Sequence, residues 1–232
     1  MYGHDPLWMR AFLAVHITAG GGAFVLAPLA LLTAKGGKAH RRWGKIYFWC
    51  MTIVAITALI MALWRPVLFL AFVSVFSFYS AFVGYRILGQ KAAWKGEKVA
   101  TALDWSVAVI DFVCCAALAT FGAVRPSLVQ NLGIPAMVFG GIGIWIALNA
   151  VWGFTHPQKD KMFWWYGHLQ GMLGSYIAAW TAFCIVTIGP LVHGAWWLWL
   201  LPTAIGVPAM IATTAYYQRK FAPKVRVVQG AV

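Results

Sequence analysis

Three ionisable side chains stand inside long apolar runs of this chain, namely His16, Asp111 and His168. A charge is costly in hydrocarbon, so such groups face a protein interior or a water-filled cavity, where they serve a cofactor, an ion or a proton path. With about 1.5 Å of rise per residue, His16 stands roughly 18 Å, Asp111 about 12 Å and His168 about 8 Å from the same end of their runs. One shared centre is therefore expected, with His16, Asp111 and His168 as candidate ligands of a divalent metal. Gly20 follows His16 by one turn and Gly171 follows His168 by three residues, which leaves a small-residue notch beside each imidazole. A notch of that kind suits a flat macrocycle, so His16, His168, Gly20 and Gly171 are also candidates for binding a haem b. The competing reading makes the glycines helix-packing surfaces and each histidine a hydrogen-bonding group across an interface. Asp111 must pair, bind a cation or carry a proton. Asp104, one heptad earlier, has a simpler reading, because it stands three residues after Thr101 at capping-box spacing.

The elements that would position these groups are seven apolar runs near 7–33, 46–64, 67–88, 103–124, 133–154, 163–188 and 195–217. Each is long enough for a hydrocarbon core about 30 Å thick. The expected fold is all-α, a polytopic bundle of seven transmembrane helices forming a single domain over residues 1–232, in a cell inner membrane. All but three of the eighteen lysines and arginines fall in alternate gaps: Lys35 to Lys45, Arg86 to Lys98, Lys159 with Lys161, and Arg219 to Arg226. Only Arg10, Arg65 and Arg125 stand at the opposite ends. Cytoplasmic loops retain basic residues, so the amino terminus is expected outside and the carboxyl terminus in the cytoplasm. Trp8, Trp64, Trp196 and Trp197 would mark the outer boundary, and Trp43, Trp94, Trp152, Trp164 and Trp165 the inner one. The first run is too long for a cleaved signal segment and is expected to remain as a helix.

Composition agrees with this placement, because 62% hydrophobic residues and a mean hydropathy of +0.76 exceed what a soluble core needs. The net charge of +13 sits at helix ends, so anionic lipid headgroups, rather than nucleic acid, are the expected partner. Self-association into a homo-oligomer is left open. In the first basic gap His40, Arg41 and Arg42 form a donor cluster for an anion or a lipid headgroup. Cys50, Cys114, Cys115 and Cys184 lack metal-finger or redox spacing and read as small apolar residues. Ser74, Ser77, Ser80, Gly133, Gly140 and Gly143 read as close helix contacts, and Arg86 and Asn149 as groups near the inner entrance.

Several polytopic classes fit poorly. A retinal protein needs a lysine in its last helix, and 195–217 contains none. An intramembrane serine protease needs serine and histidine on facing helices, whereas Ser175 shares its run with His168. A seven-span zinc hydrolase needs several converging histidines, and each candidate run carries one. A di-haem cytochrome of the ascorbate-reducing type needs four.

The run His16, Gly20, Ala27-Pro28, Lys35-Gly36, His40-Arg41, Gly44 and Tyr47, with the stretch from His168 to Phe183, resembles a family of bacterial inner-membrane proteins that carry a domain of unknown function. The resemblance implies a multi-span bundle and draws attention to His16, His40, Arg41 and His168, with no activity attached. Three functions remain: a buried His/Asp site for electron or proton transfer, a proton-coupled small-solute transporter, or a membrane scaffold without catalysis.

Overall fold

The computed structural model describes residues 6–222, so Lys224 and Arg226 of the basic tail lie outside the described residues. Seven α-helices follow one another: α1 (Leu7–Leu32), α2 (Lys38–Trp64), α3 (Leu68–Arg86), α4 (Ala102–Val124), α5 (Gly133–Thr155), α6 (Phe163–Thr187) and α7 (Leu201–Phe221). Each stretch is long and apolar enough to cross a membrane, α3 and α7 with their flanking 3₁₀ turns. No strand occurs among the described residues. Large apolar side chains point outward along the bundle: Leu63 is 87% exposed, Val186 75% and Trp145 68%. In water such a surface would aggregate, whereas a lipid environment covers it.

Most helix limits fall within a few residues of the apolar runs, with one consequential exception. α2 begins at Lys38 rather than near Ile46, because Arg41, Arg42 and Lys45 are good helix formers that extend the first turns beyond the apolar window. Gly36, at φ +76°, makes the tight turn that joins α1 to α2.

α3 is the central helix, packed against α2, α4, α5 and α6, while α1 lies on α2 and α4 on α5. Glycine sets the closest approaches. A Cβ built on Gly171 would lie 2.6 Å from Gly84 Cα, and one built on Gly84 would lie 2.8 Å from Met172 N, so α3 and α6 cross backbone to backbone. Gly140 meets Cys115 O and Ala119 in the same way, and Gly133 and Gly143 also contact α4. The glycines read as helix contacts play that part. Ser80 lies at the α3–α6 crossing, whereas Ser74 and Ser77 donate to carbonyls of their own helix.

Side-chain pairs show that the basic gaps share one end of the bundle. Arg86 pairs with Asp104, Lys91 lies 4.0 Å over the Trp164 ring and Lys161 lies 5.5 Å over Trp94. Trp8 and Trp64 meet edge to face, 5.2 Å between ring centres, where α1 begins and α2 ends. Pro28 lies inside α1 and Pro208 inside α7, and Pro202 occupies the first turn of α7.

Candidate functional site

α4 carries the most deeply buried acid. Asp111 is fully buried, and its Oδ1 accepts a long 3.5 Å bond from the Cys115 thiol one turn on. Its Oδ2 receives no hydrogen bond from any protein group, and neither does the hydroxyl of Tyr79 on α3, a side chain only 1% exposed. Tyr79 is within electrostatic reach of both Asp111 and Asp104. Two buried polar atoms without a protein partner are costly, about 1–3 kcal/mol each unless water reaches them. Structures retain such atoms where chemistry uses them.

A cavity of about 1280 Å³ opens at the basic end and runs inward to Tyr79. Its walls include Arg86, Asp104 and Asn149, so Arg86 and Asn149 line a cavity at the basic end of the bundle. Asp104 performs the capping role read from its spacing. Its Oδ2 accepts from Thr101 N at 2.8 Å, and Thr101 Oγ1 accepts from Asp104 N at 3.4 Å. It also takes a two-pronged contact from Arg86, Nε to Oδ1 and Nη2 to Oδ2, both 2.8 Å. That fork immobilises the guanidinium on the cavity wall, between solvent and Tyr79.

His16 and His168 point to other neighbours. His16 Nδ1 lies 2.9 Å from the hydroxyl of Thr57 on α2, and that hydroxyl donates to Ile53 O on its own helix. His168 Nδ1 donates to Gly84 O on α3 at 2.7 Å. The three ionisable groups expected in one centre are thus held by three different partners, on α2, within α4 and on α3. Among the described residues no three His, Cys, Asp or Glu side chains group so as to hold a metal ion. The expected triad of His16, Asp111 and His168 as metal ligands is corrected accordingly: the three lie toward the same half of their helices, but each side chain is turned to a different partner. Beside His168, the backbone of α3 at Gly84 and Ser80 occupies the space next to Gly171. Gly20 has only Val54 Cγ2 at 3.9 Å from an added Cβ, so α2 packs over it.

His40 separates from its neighbours in the donor cluster. Arg41 and Arg42 are exposed, with Arg42 5.5 Å from the Trp43 ring centre. His40 turns inward, donates from Nδ1 to Ala30 O at 2.9 Å, and meets the His168 ring. Lys35 donates to Leu31 O and Ala30 O at the carboxyl end of α1, and burial pulls its ammonium below the usual lysine value. The interior contacts of Tyr79 and His40 escape sequence reasoning. A tyrosine within an aromatic run carries no spacing signal, and His40 lay outside the expected second span.

A second cavity, about 1210 Å³ and mostly apolar, lies among α3, α5, α6 and α7. Val83, Ile87, Asn149, Ala150, Gly167 and Gln170 line both cavities, so the two lie side by side. No family model, no curated protein and no solved structure matches the chain.

Proposed function

We propose that the chain is an integral, multi-pass protein of a bacterial inner membrane, its amino end outside and its carboxyl end in the cytoplasm, in which Asp111 and Tyr79 exchange protons with the cytoplasmic side. The observation that carries this reading is a pair of buried polar atoms without a protein partner, Asp111 Oδ2 on α4 and Tyr79 OH on α3, with Tyr79 on the wall of a cavity that opens on the basic face. The basic gaps gathered at that end support the orientation. Within the pair, Tyr79 lines the cavity and relays a proton through its hydroxyl, and Asp111 is the acceptor. Arg86 and Asp104 neutralise each other on the wall, so Asp104 is occupied and leaves Asp111 as the acid that takes the proton. Proteoliposomes containing a pH-sensitive dye test the reading. Acidification of the lumen down a proton gradient is expected with the native protein and is lost in Asp111→Asn; equal flux through that variant rejects the proposal.

A proton-coupled carrier is the second reading, favoured by the large, mostly apolar second cavity that adjoins the first. The apolar walls of that second cavity suit an amphipathic or apolar solute rather than a sugar. Flux that requires an added solute of that class would select this reading, and flux without one selects simple proton exchange.

A further inference from the structure

We propose that His40 and His168 form a binding site for one soft, monovalent transition-metal ion of the copper(I) class. This site is separate from the Asp111 pair and does not rest on the proton-exchange reading. A backbone carbonyl can only accept, so Nδ1 carries the hydrogen in both rings: His40 donates to Ala30 O at 2.9 Å and His168 to Gly84 O at 2.7 Å. Each neutral ring therefore keeps its lone pair on Nε2. An imidazole whose other nitrogen is tied to a carbonyl is the arrangement that orients histidine ligands toward a metal. The ring centres are 6.1 Å apart with planes at 77°. Two nitrogen–metal bonds of about 2.0 Å, with roughly 1.1 Å from each ring centre to Nε2, place coaxial ligating rings about 6.2 Å apart. The observed separation of 6.1 Å is compatible with that value.

The helix register supports a built pair. Tyr47 and Ser175 stand two turns beyond His40 and His168 on the same faces, and their hydroxyls are 2.6 Å apart. The Tyr47–Ser175 contact thus ties α2 to α6 two turns from the imidazoles, in the same register. Met172, one turn beyond His168, packs in the same cluster as Tyr47 and adds a soft thioether on that face. Charge selects a monovalent ion. The ionisable groups acting on His168 are His40 and Lys35, and neither supplies the carboxylate or thiolate that a buried dication needs for neutralisation. Space selects a bare ion over a porphyrin. The Gly84–Gly171 crossing and the Tyr47–Ser175 bond close the region on two sides, and neither large cavity is lined by His40 or His168.

The full chain in detergent, titrated anaerobically with copper(I) against a chromophoric chelator and in parallel with silver(I), tests the site. One equivalent is expected, weakened by roughly tenfold or more in His40→Ala and in His168→Ala and unchanged in His16→Ala. X-ray absorption of the copper-loaded native protein, which requires no variant to fold, is expected to show two nitrogen neighbours. Failure to bind, binding that survives both substitutions, or a shell of sulfur alone overturns the proposal. A haem absorption band that disappears in the same two variants overturns it in favour of a porphyrin.

Discussion

Replacing Tyr79 by Phe removes one oxygen and leaves the ring. Tyr79 is 1% exposed and packs with Phe82, Ala108 and Ala147, so the aromatic contacts survive and no cavity larger than a hydroxyl opens. A structural role and a functional role predict opposite signs. If the hydroxyl held the fold together, losing it would cost about 1 kcal/mol, the net worth of an ordinary hydrogen bond. The hydroxyl has no protein partner, so its removal instead relieves a desolvation penalty of about 1–3 kcal/mol. Polar groups of the unfolded state in a membrane also find partners, which places the expected gain near the lower figure, roughly a fivefold shift toward the folded form. Reversible unfolding in mixed micelles with increasing sodium dodecyl sulfate measures it. Proton flux through Tyr79→Phe should fall while stability rises, and combination with Asp111→Asn should add little further loss, because both act in one relay. A Tyr79→Phe variant less stable than the native protein by about 1 kcal/mol or more, with flux retained, would refute the argument.

Other outcomes follow from the same contacts. Gly84→Ala and Gly171→Ala force a Cβ against backbone atoms 2.8 and 2.6 Å away, so each should cost about 1–3 kcal/mol in the same unfolding assay; Gly21→Ala, with nothing within 4 Å, should be neutral or slightly stabilising. Asp104→Ala removes the cap of α4 and the partner of Arg86, whose side chain is 34% exposed and can rehydrate, giving an expected loss of about 1–2 kcal/mol, measured by thermal unfolding, and an Arg86 side chain released into the cavity. Single cysteines at Lys38 and Arg65, in a background without the native four, should react oppositely with a membrane-impermeant thiol reagent in intact cells. Arg65→Cys should label and Lys38→Cys should not; the reverse pattern would invert the topology.

The seven helices were legible because apolar length and the alternation of basic gaps are local properties of a chain that meets lipid. Asp104 was legible for the same reason, since a capping box needs only Thr101 and a spacing of three. The grouping of His16, Asp111 and His168 was not, because depth along a helix is one coordinate and the rotation of each helix fixes the rest. That rotation is set by backbone crossings such as Gly84 on Gly171, which bring His168 to α3 instead of toward His16. Hydropathy also placed the start of α2 too late and left His40 in a loop, although its helical position is what carries it to His168. Tyr79 was hidden among phenylalanines, and only the packing of α3 in the bundle leaves its hydroxyl buried without a protein partner.

Infrared difference spectroscopy of oriented membranes, with the pH stepped on the basic face, measures proton exchange at Asp111 most directly. A carboxyl carbonyl band that follows the step, shifts in heavy water and is missing from Asp111→Asn is the predicted result. A native spectrum identical to that of Asp111→Asn would show that this acid exchanges no proton.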